Sequence, residues 1–164
     1  MIKKILVKSV HGAFGYVMKH YYPFGMAAEA AEQGSLTDTY AVISIQDSHT
    51  QGFGVQFTEN RFCKGVLTLL FDDIVTEVNG AVLFDDDMAE QIISFIEQHK
   101  QTADTLLVHC YAGQSRSRAV GAFAVEMLGG DNSRYFEEGV PNQYIYDVLE
   151  SAWVRKQLRM IESS

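Results

Sequence analysis

Cysteine, proline and tryptophan are scarce in this chain: two, two and one among 164 residues. The two cysteines, Cys63 and Cys110, form no Cys-x-x-Cys, so a disulfide framework is excluded. Two prolines leave no Pro-rich linker, and no repeat or low-complexity tract divides the chain. No run reaches the roughly 18 apolar residues of a membrane-spanning helix. The start, MIKKILVKSV, carries lysines, but its apolar run is too short for a signal peptide. Reducing, cytoplasmic conditions are the resulting expectation. Positive charge is short too: 13 Lys and Arg stand against 21 Asp and Glu, a net charge of −8. The basic residues are scattered, which argues against nucleic acid and against an anionic membrane surface as partners. The same net charge repels anions, so any phosphate site here must be built from local positive potential.

What is present is an ordinary globular mixture, 47% hydrophobic and 21% charged, of a size for one domain over residues 1–164. Residues 5–10 read as a strand. Residues 25–33 have an Ala-rich helical look, ended by Gly34. Residues 40–45 are a compact apolar run followed by Gln46-Asp47-Ser48, a buried strand and a turn. Residues 65–71 form a further strand that runs into Asp72-Asp73. Asp85, Asp86 and Asp87 offer N-caps for a helix over 88–99, whose Met88, Ile92, Phe95 and Ile96 fall at helical spacing. Residues 105–108 read as a strand and 116–128 as a helix stopped by Gly129-Gly130. Val140-Pro141-Asn142 opens another stretch, and 153–161 is a last helix. This alternation predicts an α/β fold, with a central, mainly parallel sheet and helices on both faces. Ligands of such sheets sit beyond the carboxyl ends of the strands, which points to the loops after Val108 and Phe71.

The loop after Val108 reads His109-Cys110-Tyr111-Ala112-Gly113-Gln114-Ser115-Arg116-Ser117. A strand feeding a short loop and then a helix makes an anion site, because loop amides and the helix dipole converge on it. Residues Tyr111 to Arg116 are the expected substrate cradle. Gly113 permits a backbone that a side chain would obstruct. A cysteine at the base of this cradle is favoured as thiolate, the nucleophilic form. Arg116, six positions on, can fold a planar fork over two phosphate oxygens. Ser117 can donate a hydrogen bond to the sulfur and help it leave.

Cys110, five residues, Arg116 and Ser117, preceded by His109, resemble the signature loop of the protein tyrosine phosphatase superfamily. Gly113 and Ser115-Arg116-Ser117 are closest to its compact dual-specificity branch. The resemblance is clearest over 106–128 and extends back to Leu67. It implies two-step hydrolysis of a phosphorylated protein or small phosphomonoester through a phosphocysteine, with neither metal nor cofactor. It also implies an upstream aspartate as general acid. Asp73 is the first choice and Asp72 the second, since they end a strand on the rim where Cys110 lies. The uncharged Tyr111, Ala112, Gln114 and Ser115 favour phosphotyrosine, with phosphoserine and phosphothreonine beside it, over a phosphoinositide.

Other residues take plainer readings. His109 is structural, bonded to loop backbone and helping to set the thiolate. Cys63 is core, with a resolving partner for oxidised Cys110 as the alternative. Asn142 shapes a turn, with a place at the site as the alternative, and Tyr21-Tyr22-Pro23-Phe24 packs in the core, with a pocket lining as the alternative. His11, His20, His49 and His99 lack metal-ligand spacing, and His109 with Cys110 would lack partners. Two other functions compete: a rhodanese-like sulfurtransferase, which Arg116-Ser117 and the loop length disfavour, and a phosphate- or phosphopeptide-binding module, which follows if neither aspartate reaches the site.

Overall fold

The computed structural model describes residues 1–23, 26–50 and 56–163. Four strands form one sheet: β1 (Lys4–Lys8), β2 (Tyr40–Gln46), β3 (Cys63–Leu70) and β4 (Thr105–His109). Their order is β1-β4-β2-β3 and every pairing is parallel. The inner strands β2 and β4 are buried at every position, as central strands covered on both faces must be.

Successive side chains of a strand face opposite sides. On one side Tyr40, Val42 and Leu107 meet Ala13, Val17 and Tyr21 of α1 (Val10–Tyr21). On the other, Ala41, Ile43, Ile45, Leu106 and Val108 meet α3 (Asp86–His99), α4 (Arg116–Met127) and α6 (Gln143–Glu162). Each of these large apolar side chains contributes about 1.5–3 kcal/mol by leaving water. Two short helices, α2 (Ala28–Glu32) and α5 (Ser133–Glu137), complete the described elements. No described helix is long and apolar enough to cross a membrane.

Helices on both faces of a parallel sheet are what the alternating pattern predicts. The differences are local. The first strand stops at Lys8, because the Ser9 side chain accepts from the Gly12 amide and caps α1, so Val10 is helical. The last helix begins ten residues before 153, where the Asn142 side chain accepts from the Ile145 amide. The Ala-rich helix begins at Ala28; Gly25 and Phe24 lie outside the described residues. Of the run expected in the core, Tyr21 is buried, with its ring centroid 5.0 Å from those of Tyr40 and Phe62, Tyr22 is partly buried and Pro23 is exposed. The Asp85 side chain does cap α3, accepting from Met88 N, and Gly129 at φ 86° follows the end of α4.

Because all four strands are parallel, their carboxyl ends share one rim. There lie Ser9 after β1, Asp47 and Ser48 after β2, Phe71 to Asp73 after β3, and the loop from Cys110 to Ser115 after β4.

Candidate active site

Cys110 sits at the base of the loop, 2% exposed. Its sulfur lies 3.0 Å from Ser117 Oγ and 3.2 Å from the Gly113 amide, which donates to it. Both contacts suit a sulfur carrying negative charge. Gly113 has φ 74°, and a Cβ there would stand 2.6 Å from the carbonyl carbon of Lys8 and the amide nitrogen of Ser9. The loop therefore lies directly on the β1–α1 junction, where the Val10 amide also donates to the Tyr111 carbonyl. Tyr111, Ala112 and Gln114 are exposed along the loop.

The Arg116 side chain folds back beneath this loop and is 8% exposed. Its Nη1 donates to Asp47 Oδ1 at 2.5 Å and to the Phe71 carbonyl at 2.9 Å. One edge of the guanidinium is thus fixed by the ends of β2 and β3. Ser115 immediately precedes α4 but does not cap it. Its hydroxyl donates instead to Asp73 Oδ1 at 2.8 Å, which draws the loop after β3 onto the cysteine loop.

No family model and no curated protein sequence matches the chain. Solved structures do. A PTPMT1 structure in complex with PI(5)P has a TM-score of 0.54 at 13% identity, covering 96% of this chain and 94% of that one. A second PTPMT1 structure has a TM-score of 0.51 at 13% identity, covering 97% and 95%. Human DUSP28 follows at 0.49 and 18% identity, covering 94% of each chain. The chain shares its fold with these PTPMT1 structures.

On this fold the two candidate acids separate. Asp72 is tied to its own surroundings: Ser48 Oγ donates to it at 2.5 Å, the Val82 amide at 2.7 Å and the Ser48 amide at 3.1 Å. Burial raises its pKa, but those bonds, with His49 nearby, outweigh burial and leave it below the ordinary carboxylate value. An aspartate held ionised in this way is a poor proton donor. Asp73 is the one that touches the cysteine loop.

His109 is fully buried behind the cysteine loop. Burial holds its pKa down, against an opposing hydrogen bond to the Cys110 carbonyl. The neutral ring then donates from Nδ1 to that carbonyl at 3.2 Å and accepts at Nε2 from Ser44 Oγ at 2.7 Å. Gln46 Nε2 donates in turn to Ser44 Oγ at 2.7 Å. The row Gln46–Ser44–His109 braces the loop from β2.

Two further side chains of this rim read first as turn residues in the sequence. Asp47, read as part of a turn, is the partner of Arg116. The rule that points to the ends of β3 and β4 points equally to the end of β2. Asn142, also read as a turn residue, is 6% exposed and reaches Asp73 Oδ1 at 2.9 Å. Cys63 is core: burial pushes its thiol pKa up. Tyr40 pairs with both Cys63 and Thr105, and Cys110 lies five residues beyond Thr105. At ~3.3 Å per residue along the strand and ~4.8 Å per strand across the sheet, the two cysteines are roughly 19 Å apart, far beyond disulfide reach.

Gly113→Ala should lower stability by about 2–4 kcal/mol, the left-handed backbone and a clash with unyielding backbone adding together. Thermal melting reads this as a drop of roughly 5–15 °C. An unchanged Tm would mean that the loop does not rest on the β1–α1 junction.

Proposed function

We propose that the chain is a phosphomonoester hydrolase that acts on phosphotyrosine, and also on phosphoserine and phosphothreonine, through a phosphocysteine. The observation that carries this reading is the Cys110 sulfur at the base of a loop whose Gly113 amide points at it, with Ser117 on the sulfur and Arg116 pinned by Asp47 and the Phe71 carbonyl.

In the first step the Cys110 thiolate attacks phosphorus, and the bond from phosphorus to the ester oxygen breaks. Asp73 gives its proton to that departing oxygen. The Arg116 fork and the loop amides hold the charge that spreads over the three equatorial oxygens. In the second step Asp73 takes a proton from water as the water oxygen attacks phosphorus. The sulfur–phosphorus bond breaks, inorganic phosphate leaves, and the Ser117 hydroxyl stabilises the returning thiolate. Arg116 and the amides carry the electrostatic work, so neither step calls for a metal.

Residues 111–115 contribute no cationic side chain, while Asp47, Asp72 and Asp73 border the rim. That balance suits a substrate with one phosphoryl group and disfavours polyphosphorylated inositol lipids.

The test is hydrolysis by wild type and Asp73→Asn of p-nitrophenyl phosphate and of an alkyl or phenyl phosphate, with chelator present. Wild type should turn over both esters. Asp73→Asn should lose about 10²–10⁴-fold on the poor leaving group and far less on nitrophenolate. Equal loss on both removes Asp73 from the acid role. A wild type that binds phosphate and turns over neither ester is a phosphate-binding module.

A further inference from the structure

Asn142 ends the segment between α5 and α6, and its side chain and backbone bond to three different parts of the site. Its Oδ1 accepts from the Ile145 amide at 3.1 Å and caps α6. Its Nδ2 donates to Asp73 Oδ1 at 2.9 Å and to the Ile74 carbonyl at 3.2 Å. Its backbone amide donates to the Ser115 carbonyl at 3.2 Å. Ser115 closes the triangle by donating its own hydroxyl to the same Asp73 oxygen.

Asp73 Oδ1 therefore receives two donors, which leaves it little capacity to carry a proton. A proton on this carboxyl belongs on Oδ2. Removing either donor weakens the carboxylate more than the carboxylic acid, because a carboxylate accepts more strongly. We infer that Asn142 is a positioning residue for Asp73: its amide fixes Oδ1 against the cysteine loop, directs the transferable proton to Oδ2, and supports the carboxylate that must re-form to accept a proton from water. This rests on the reading of Asp73 as the proton donor.

The charged surroundings of Asp73 come from every neighbouring element. From the cysteine loop and α4 come Cys110 and Arg116. From the end of β2 come Asp47, paired with Arg116, and His49, which lies near Asp72. Asp72 precedes Asp73 in its own loop. Along α6 the first charged side chain is Asp147, which accepts from Gln143. Substituting Asn142 alters none of these groups.

Asn142→Asp separates this role from helix capping. Aspartate is as good an N-cap as asparagine, so the bond from the Ile145 amide survives. It cannot donate to Asp73, and it sets a second carboxylate beside the first. Asn142→Ala removes cap and donor together.

The measurement is a carboxyl-carbon NMR titration of Asp73, assigned with Asp73→Asn, from about pH 3 to 8 in wild type and both variants. In Asn142→Asp the midpoint should move up by about 1 pH unit, and in Asn142→Ala by about half a unit. The alkaline limb of kcat/KM for a poor leaving group should move with it. A folded Asn142→Asp protein whose midpoint stays where wild type has it overturns the inference. So does a uniform loss of activity at every pH with no displaced limb. The NMR midpoint does not depend on turnover, so an inert wild type would sink the phosphatase reading while the Asn142–Asp73 coupling is decided separately.

Discussion

Cys110→Ser should hydrolyse p-nitrophenyl phosphate at background, a loss of roughly 10⁵–10⁶-fold, while still binding phosphate or vanadate. The substitution changes one atom. The Gly113 amide and the Ser117 hydroxyl can bond to oxygen as they do to sulfur, so the cradle survives. What disappears is the nucleophilic sulfur, since a serine hydroxyl without an adjacent base stays protonated. His109 supplies no such base, because its ring is turned to Ser44 and to the Cys110 carbonyl. Calorimetric titration with phosphate should give a Kd within several-fold of wild type. Retained turnover would overturn the covalent mechanism, and lost binding would mean that the thiolate itself holds the loop together.

Arg116→Lys should lower kcat/KM by about 10³-fold or more. Nη1 of Arg116 is already engaged by Asp47 Oδ1 and the Phe71 carbonyl. The guanidinium can serve these partners on one edge and still offer donors to phosphate from its remaining nitrogens. A lysine ammonium is a single point; it can pair with Asp47 or reach the phosphate, but it cannot span both. The loss should appear in kcat as well as KM, because the fork acts on charge that grows in the transition state. Arg116→Ala should cost stability too, since it leaves the half-buried Asp47 carboxylate without its cation. Near-normal kcat/KM in Arg116→Lys would show that positive charge alone is enough and that the fork held by Asp47 is not needed.

The parts of this molecule legible in the sequence share one property: their signals are local. β2 and β4 hold the compact apolar runs 40–43 and 106–108, Asp85 stands where an N-cap belongs, and Cys110 to Ser117 carry their spacing in seven consecutive bonds. α1 was hidden although Val10, Ala13, Val17 and Tyr21 recur at helical intervals. Gly12, Gly15 and a run of aromatic and β-branched residues give it poor intrinsic propensity, and burial against β2 and β4 overrides that. The first half of α6 is similar: Tyr144, Ile145, Tyr146 and Val148 are weak helix formers that packing secures. Asp47 and Asn142 belong to a harder category. Each looks like an ordinary turn residue, and each acquires its role from a partner 69 positions away, Arg116 for Asp47 and Asp73 for Asn142. The choice between Asp72 and Asp73 was open for the same reason. Only the fold shows that Ser48 and Val82 hold the first, while Ser115 and Asn142 hold the second.

The central claim is that a phosphoryl group passes through Cys110. Rapid acid quenching of the wild-type protein during turnover of a radiolabelled aryl phosphate, followed by peptide mapping, tests it directly. The account predicts acid-stable label on the peptide carrying Cys110, absent from Cys110→Ser and increased in a variant whose second step is slowed, such as Ser117→Ala. Turnover with no labelled protein, or label on a residue other than Cys110, would contradict it.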